Sequence, residues 1–178
     1  LGFTGALWPV HPSRATVAGE RAYPRVAGLP GVPDAGFVAV PAAVCAPVVA
    51  ELSGLGCGGV VVYSSGFAET GARGADRQRA LVAAAGAMPL LGPNCYGLVN
   101  YAERVLIWPD QHGGIGLGPG ERGVAIVSQS SSGMRVSSRS WRKARITPRI
   151  RPSTRPMAAF RDVFGCVWLA DCDPRPTS

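Results

Sequence analysis

Several features that would assign a chemistry at once are missing from this sequence. Its five cysteines are an odd number, and no two of them stand as C-x-x-C. Neither a disulfide framework nor a zinc site follows, and a reducing, cytoplasmic setting fits. The two histidines, His11 and His112, are far apart and poorly accompanied, so no metal site is expected. There is no G-x-S-x-G elbow, and no Cys–His or Ser–His–Asp set assembles. The longest apolar runs are strand-sized, well short of the roughly 20 residues of a membrane span. The opening "LGFTGALWPVHPSR" has no signal-peptide pattern and no initiator Met. On that ground the chain is expected to begin inside a domain.

Negative charge is scarce in one region only. The net charge of +7 comes entirely from residues 134–178, which hold ten Lys and Arg against three Asp. The rest of the chain balances, and a neutral body with a basic tail is poor evidence for a nucleic-acid surface. Over residues 134–156 Arg and Ser occupy positions where apolar residues should recur, and neither a helical nor a strand period survives. Charge, Arg/Ser/Pro content and periodicity all change near residues 131–135. Two readings of the tail stand open: a disordered basic segment, or an out-of-frame read of a GC-rich gene.

What is present reads as a packed α/β protein. Of the 178 residues, 47% are hydrophobic, enough for one core and part of a second. "ALWPV" at residues 6–10 and "GFVAV" at 36–40 are expected strands. A helix follows, with Pro41 in its first turn and Gly54 or Gly56 at its end; Pro47 inside it implies a kink or a late start. "GGVVVY" at 58–63 is a continuous apolar run suited to a strand buried on both faces. A loop leads to a helix at 75–87, and "MPLLG" supplies a fourth strand. Strand and helix alternating at this pace imply right-handed βαβ units and a parallel sheet. Residues 123–133, "GVAIVSQSSSG", read as a strand entering a turn, the opening of a second α/β unit. The "GGIGLGPG" stretch precedes that strand instead of linking strand to helix, so it reads as a linker and not as a phosphate loop.

In an open parallel sheet, ligands sit beyond the carboxyl ends of the strands. Four sets of residues fall there: His11, Pro12, Ser13 and Arg14; Pro41, Ala42 and Ala43; Ser64, Ser65, Gly66 and Phe67; Gly92, Pro93, Asn94 and Cys95. Arg14 suits a phosphate, and Pro41 offers an apolar shelf for a purine. Ser65 and Gly66 precede a helix, where N–H groups hold anions or amides. Asn94 can bond along an amide-bearing chain, with Cys95 small and soft beside it. The glycines and proline of "LLGPNCYGLVN" exceed the needs of one turn and suggest a close approach to that backbone. Any one of these sets reads equally as an ordinary turn; the argument rests on four together.

In order, "WPVHP", "FVAVPA", "VVVYSSGFAETG", "LLGPNCYGLVN" and "GVAIVSQSSSG" resemble the CoA-binding portion of NDP-forming acyl-CoA synthetases. This is the superfamily of the succinyl-CoA ligase alpha subunit and the ADP-forming acetate–CoA ligases. The likeness covers about residues 1–133, and "WPDQHGG" at 108–114 is similar to the acetate–CoA-ligase type. The resemblance implies a Rossmann-like, doubly wound parallel sheet. It implies a CoA-binding domain at 1–102 lacking its first strand, a linker at 103–122 and the start of a flavodoxin-like second domain at 123–133, with 134–178 left as the non-matching tail.

It further implies that Asn94 and Cys95 meet the thiol end of CoA. Ser65, Gly66 and Phe67 would border the pantetheine arm, and His11, Pro12, Arg14, Pro41 and Ala42 would flank the nucleotide half. Ser128, Ser130 and Ser131 would take a phosphate at a helix start, with Ser131 where the family has glycine. The family's phosphohistidine, its ATP-grasp module and the ATP, ADP and Mg that go with it have no counterpart here, so no catalytic residue is assigned. A chain without the first, central strand is expected to leave two strands unpartnered, to be marginally stable and to bind CoA weakly.

Three functions compete on these grounds. One is a CoA-binding fragment of an acid–CoA ligase, inactive alone and partnered with an ATP-grasp subunit or domain. The others are a stand-alone CoA- or nucleotide-binding regulator and a basic-tailed nucleic-acid binder. The acid, the choice of ADP or GDP and the oligomeric state are not legible.

Overall fold

The computed structural model describes residues 5–101, 105–107, 116–118, 120–121 and 167–171. Strand β1 (Ala6–Val10) is the run "ALWPV", buried over its last three residues. Two short strands, β2 (Thr16–Val17) and β3 (Glu20–Arg21), pair as a hairpin. Its two turn residues, Ala18 and Gly19, both have positive φ, the geometry a two-residue hairpin needs. The hairpin is too short to show a period in the sequence.

Next come β4 (Ala35–Val38), α1 (Ala42–Leu55) and β5 (Val60–Val62). Helix α1 buries Cys45, Val49 and Leu52, a stripe at spacings of four and three. It ends at Gly56, whose φ of 89° and N–H bonds to the Leu52 and Ser53 carbonyls form a left-handed cap. Pro47 lies within the helix, which starts before it and not after. Helix α2 (Ala72–Ala85) begins three residues ahead of the expected start and buries Gly74, Leu81 and Ala85. A Cβ at Gly74 would sit 1.7 Å from the Phe67 carbonyl oxygen. That glycine therefore lets the helix start fold tightly onto the preceding loop. Strand β6 (Leu90–Leu91) follows, and β7 (Leu98–Asn100) pairs antiparallel with β8 (Val105–Ile107). Strand β8 falls inside the stretch read above as a linker.

A last strand, β9 (Val167–Asp171), joins from the far end of the chain. The main sheet runs β1-β9-β4-β5-β6. Strands β4, β5 and β6 are mutually parallel. Strand β9 is antiparallel to both its neighbours, with Val167 opposite Val10 on one side and Val38 on the other. Strands β1 and β4 thus run in the same direction, with β9 between them. The unpartnered pair expected from the sequence is not found: both strands bond to β9. The physical reason lies in the backbone, for which the run at 167–171 supplies partners on both sides. Unpaired backbone groups in mid-sheet cost enough to draw such a run in. The rest of the tail at 134–178, the segment 123–133 and "WPDQHGG" lie outside the described residues.

Alternation along the strands sorts the core into two faces. Trp8, Val10, Val38, Val60 and Val62 pack with the helices, against Val49, Leu52 and Leu81. Phe37, Ala39 and Val61 face the other way, packed with Val17 and Ala22 of the hairpin and with Tyr63 and Ile107. Among the described residues, no helix is long and apolar enough to cross a membrane.

Candidate functional site

Because β1, β4, β5 and β6 share a direction, their carboxyl ends lie on one edge of the sheet. The four candidate turns leave from that edge. Three of them close around a cleft of about 470 Å³. Pro41 and Ala42 line it from the start of α1, Ser65 from the turn after β5, and Asn94 and Cys95 from the turn after β6. Five of the ten cofactor residues read from the sequence therefore meet in one place. Gly66 and Phe67 follow Ser65 without lining the cleft, and His11, Pro12 and Arg14 stand in the β1 turn, also outside its lining.

The turn after β6 answers why so many special residues are needed. Gly92 has a φ of 111°, and a Cβ there would lie 2.5 Å from the Val62 carbonyl oxygen. The close approach is to the chain's own neighbouring strand. Asn94 then adopts a left-handed conformation, φ 54°, which asparagine tolerates better than most residues. The Asn94 and Cys95 N–H groups donate to the Ser64 and Val62 carbonyls at 2.9 and 3.3 Å. The loop is clamped over the end of β5, which leaves the Asn94 side chain exposed at the cleft and Cys95 half-buried.

The β1 turn is held by its histidine. His11 Nδ1 accepts from the Ser13 and Arg14 N–H groups at 3.2 and 3.0 Å, while the His11 N–H donates to the Tyr23 carbonyl. The Nδ1 edge of the ring, together with the backbone bond to Tyr23, thus organises the turn that presents the exposed Arg14. The residues after β5 behave similarly. The Gly66 and Phe67 N–H groups both donate to Glu69 Oε1, at 2.6 and 3.1 Å. These bonds hold the Glu69 carboxyl below its ordinary value of 4.5. A carboxylate of the chain itself thus occupies the N–H groups that the sequence offers to a ligand anion. Phe67 is fully buried in the core, so it shapes this turn from beneath.

Sequence reasoning passed over Ala39, Val40, Tyr63 and Tyr96 as lining positions, and named Ser64 at the strand end without giving it a role. Ala39 and Val40 form the apolar base as β4 ends. Ser64 also lines the cleft, and its hydroxyl donates to the Val40 carbonyl, tying two turns together. Tyr63 and Tyr96 complete the wall. Tyr96 stands in the quoted "LLGPNCYGLVN", and Tyr63 ends the apolar run of β5; an aromatic in each of two turns on the same sheet edge was the available signal. Below the cleft, burial pushes the Cys45 thiol up from 9.0, against an opposing hydrogen bond with Ser64. Cys57 is raised in the same way, with burial the main cause. In both, burial disfavours the thiolate, the reactive form. A second depression of similar size, about 490 Å³, lies along α2 between Ala68 and Ala83. It shares no lining residue with the strand-end cleft and offers little beyond Gln78 and Arg79, so it is not the candidate site. Among the described residues, no three His, Cys, Asp or Glu side chains gather as metal ligands would.

Known proteins resemble this chain in sequence and fold. The chain is 39% identical over 132 residues to a trans-feruloyl-CoA synthase from an unknown prokaryotic organism, covering 73% of this chain and 19% of that protein. It is 35% identical over 98 residues to the alpha subunit of ADP-forming acetate–CoA ligase II of Pyrococcus furiosus, covering 54% of this chain and 21% of the relative. Among solved structures it is similar to the dinucleotide-forming acetyl-coenzyme A synthetase 1 of Ca. Korarchaeum cryptofilum, in complex with phosphate and ADP. There the TM-score is 0.50 and the identity 32%, covering 54% of this chain and 21% of that one. The chain thus spans about a fifth of the length of these relatives. Residues 4–101, which carry the strand ends and the cleft, match the family described as CoA binding domain. This chain belongs to that CoA-binding family.

Proposed function

We propose that the cleft holds the pantetheine and thiol end of CoA, and that the chain is the CoA-binding unit of an ADP-forming acid–CoA ligase. The convergence of Pro41, Ser65, Asn94 and Cys95 on one cleft carries this reading. The lining fits such a ligand: the base at Ala39, Val40 and Ala42 is apolar, and polar groups stand at Ser64, Ser65 and Asn94. A flexible amide-bearing arm needs that mixture, apolar contact along its length and a few placed hydrogen bonds. The nucleotide half would lie over Pro41 and the β1 turn, with His11 and Pro12 shaping the turn and Arg14 meeting phosphate.

The chemistry of the whole ligase is acid, CoA and ATP to acyl-CoA, ADP and phosphate. Its final step is attack of the CoA sulfur on an acyl phosphate, forming the thioester and releasing phosphate. The contribution of this unit is to fix the thiol in position and keep it near small, soft surroundings at Cys95. The Gly66 and Phe67 turn, closed by Glu69, stiffens the wall of the arm's path. Ser128, Ser130 and Ser131 are assigned to phosphate binding. The phosphohistidine and the ATP-grasp part, with its ATP and Mg, belong to a partner domain or subunit, and the assembly to the cytoplasm.

Calorimetric titration of the full chain with CoA and with desulfo-CoA tests the reading. Micromolar binding is expected. Asn94→Gly removes the side chain without straining the left-handed backbone, and should weaken binding about three- to tenfold, the worth of a lost hydrogen bond. Unchanged affinity in that variant would remove Asn94 from the site, and no binding of either ligand would remove the function.

A further inference from the structure

The relatives are named for acids as different as acetate and ferulate, so kinship leaves the acid open. One feature of the cleft bears on it. Three aromatic rings run from the core to its mouth. Phe37 in β4 is 2% exposed. Its ring meets Tyr63 at 5.7 Å between centroids, tilted by 36°. Tyr63 meets Tyr96 at 5.3 Å in an edge-to-face contact of 75°. Tyr96, 44% exposed, ends the series and lines the cleft beside Cys95. The ladder crosses three elements, so its outermost ring is held by packing that begins in the core. The turn that carries Tyr96 is itself clamped by the Asn94 and Cys95 N–H bonds to β5.

We propose that the Tyr63–Tyr96 pair is the acyl-selecting wall of the site and that the acid taken is aromatic. This rests on the CoA reading above, which brings the thioester end of the ligand to Cys95 and hence to the neighbouring ring. An acetyl group covers little of a tyrosine ring. A conjugated aryl acyl group is planar and large enough to stack on it or meet its edge, and such pairs contribute beyond simple area burial. A ring already fixed by packing loses little freedom when the ligand arrives, so more of that contact appears as affinity. The aliphatic base of the cleft at Val40 and Ala42 does not distinguish acyl groups in this way.

Titration of the full chain with acetyl-CoA and benzoyl-CoA measures the preference directly. The aryl thioester is expected to bind roughly three- to tenfold tighter. Tyr96→Phe should keep that ratio, because the ring and its edge-to-face partner remain. Tyr96→Leu, of similar apolar bulk, should bring it close to one, as should Tyr96→Ala. The Phe and Leu variants decide the matter even where the Ala variant folds poorly. Equal affinities in the parent chain would overturn the proposal, and so would a ratio that survives in Tyr96→Leu or is lost in Tyr96→Phe. CoA binding without aryl preference removes this inference alone; absence of CoA binding removes the underlying function as well.

Discussion

The two ends of the central sheet reach the same strand direction by different routes. From β4 to β6, each strand follows its neighbour through a short crossover containing one helix. At the other end, β1 is joined to β4 only through β9, drawn antiparallel from the end of the chain. The first arrangement is built from contacts near in sequence, which cost little loop entropy and are specified locally. The second depends on one distant segment finding one slot. Both ends supply turns to the candidate site, but the cleft itself is lined from the local half. The β1 turn, with His11 and Arg14, stands on the half whose position relies on β9. Affinity for the thiol arm and affinity for the charged half of a ligand therefore answer to different parts of the fold.

Deleting residues 167–178 strikes that difference hardest. It leaves the facing edges of β1 and β4 without partners, at about 1–3 kcal/mol for each buried group left unpaired. Domains of this kind have only about 5–15 kcal/mol in hand. The truncated chain is expected to lose its cooperative thermal transition or to melt far lower. Amide exchange should rise first in β1 and β4 and least in β5 and β6. Equal protection in all four strands would abolish the distinction between local and distant halves.

Gly92→Ala probes the local half instead. Its Cβ would press on the Val62 carbonyl at a φ that disfavours side chains, at a cost of about 2–4 kcal/mol. Denaturant unfolding should show that loss, with CoA binding weakened and β1 exchange little altered. Disturbance of β1 as large as that of β5 would mean that the two halves are coupled more tightly than the topology implies.

The smallest effect is expected at Glu69. Its carboxylate is bonded to two N–H groups in the folded chain, so its folded value lies below the unfolded one. The stabilisation is therefore full above the ordinary value of 4.5 and disappears as pH falls through the lower folded value. The Gly66 and Phe67 amide resonances should titrate with a midpoint below 4.5. Glu69→Gln should abolish that titration, with little change in global melting. A midpoint at or above the ordinary value would show that the turn is not closed by this side chain.

Legibility in the sequence followed the same division. The βαβ run, a helix end at Gly54 or Gly56 and the site turns at Pro41, Ser65, Asn94 and Cys95 all rest on local signals: period, turn chemistry and position after a strand. The β2–β3 hairpin has two residues per strand, too few to display alternation, and β8 sits in a stretch with no period at all. Tyr63 and Tyr96 were visible as letters, yet their pairing joins residues of separate elements. Glu69 looked like one more exposed acid, and only its hydrogen bonds disclosed that it fills the anion position of its own turn.

By itself the sequence determined the alternation of strands and helices, the common direction of β4, β5 and β6, and the membership of four turns in one edge. These follow from side-chain period and from the handedness of short crossovers, which operate over a few residues. Only the tertiary structure decided that β9 lies between β1 and β4, that the aromatic ladder reaches the cleft, and that Gly92 faces the Val62 carbonyl. Each of these depends on which distant backbone groups end up opposite one another, and close packing settles that only when the chain is folded.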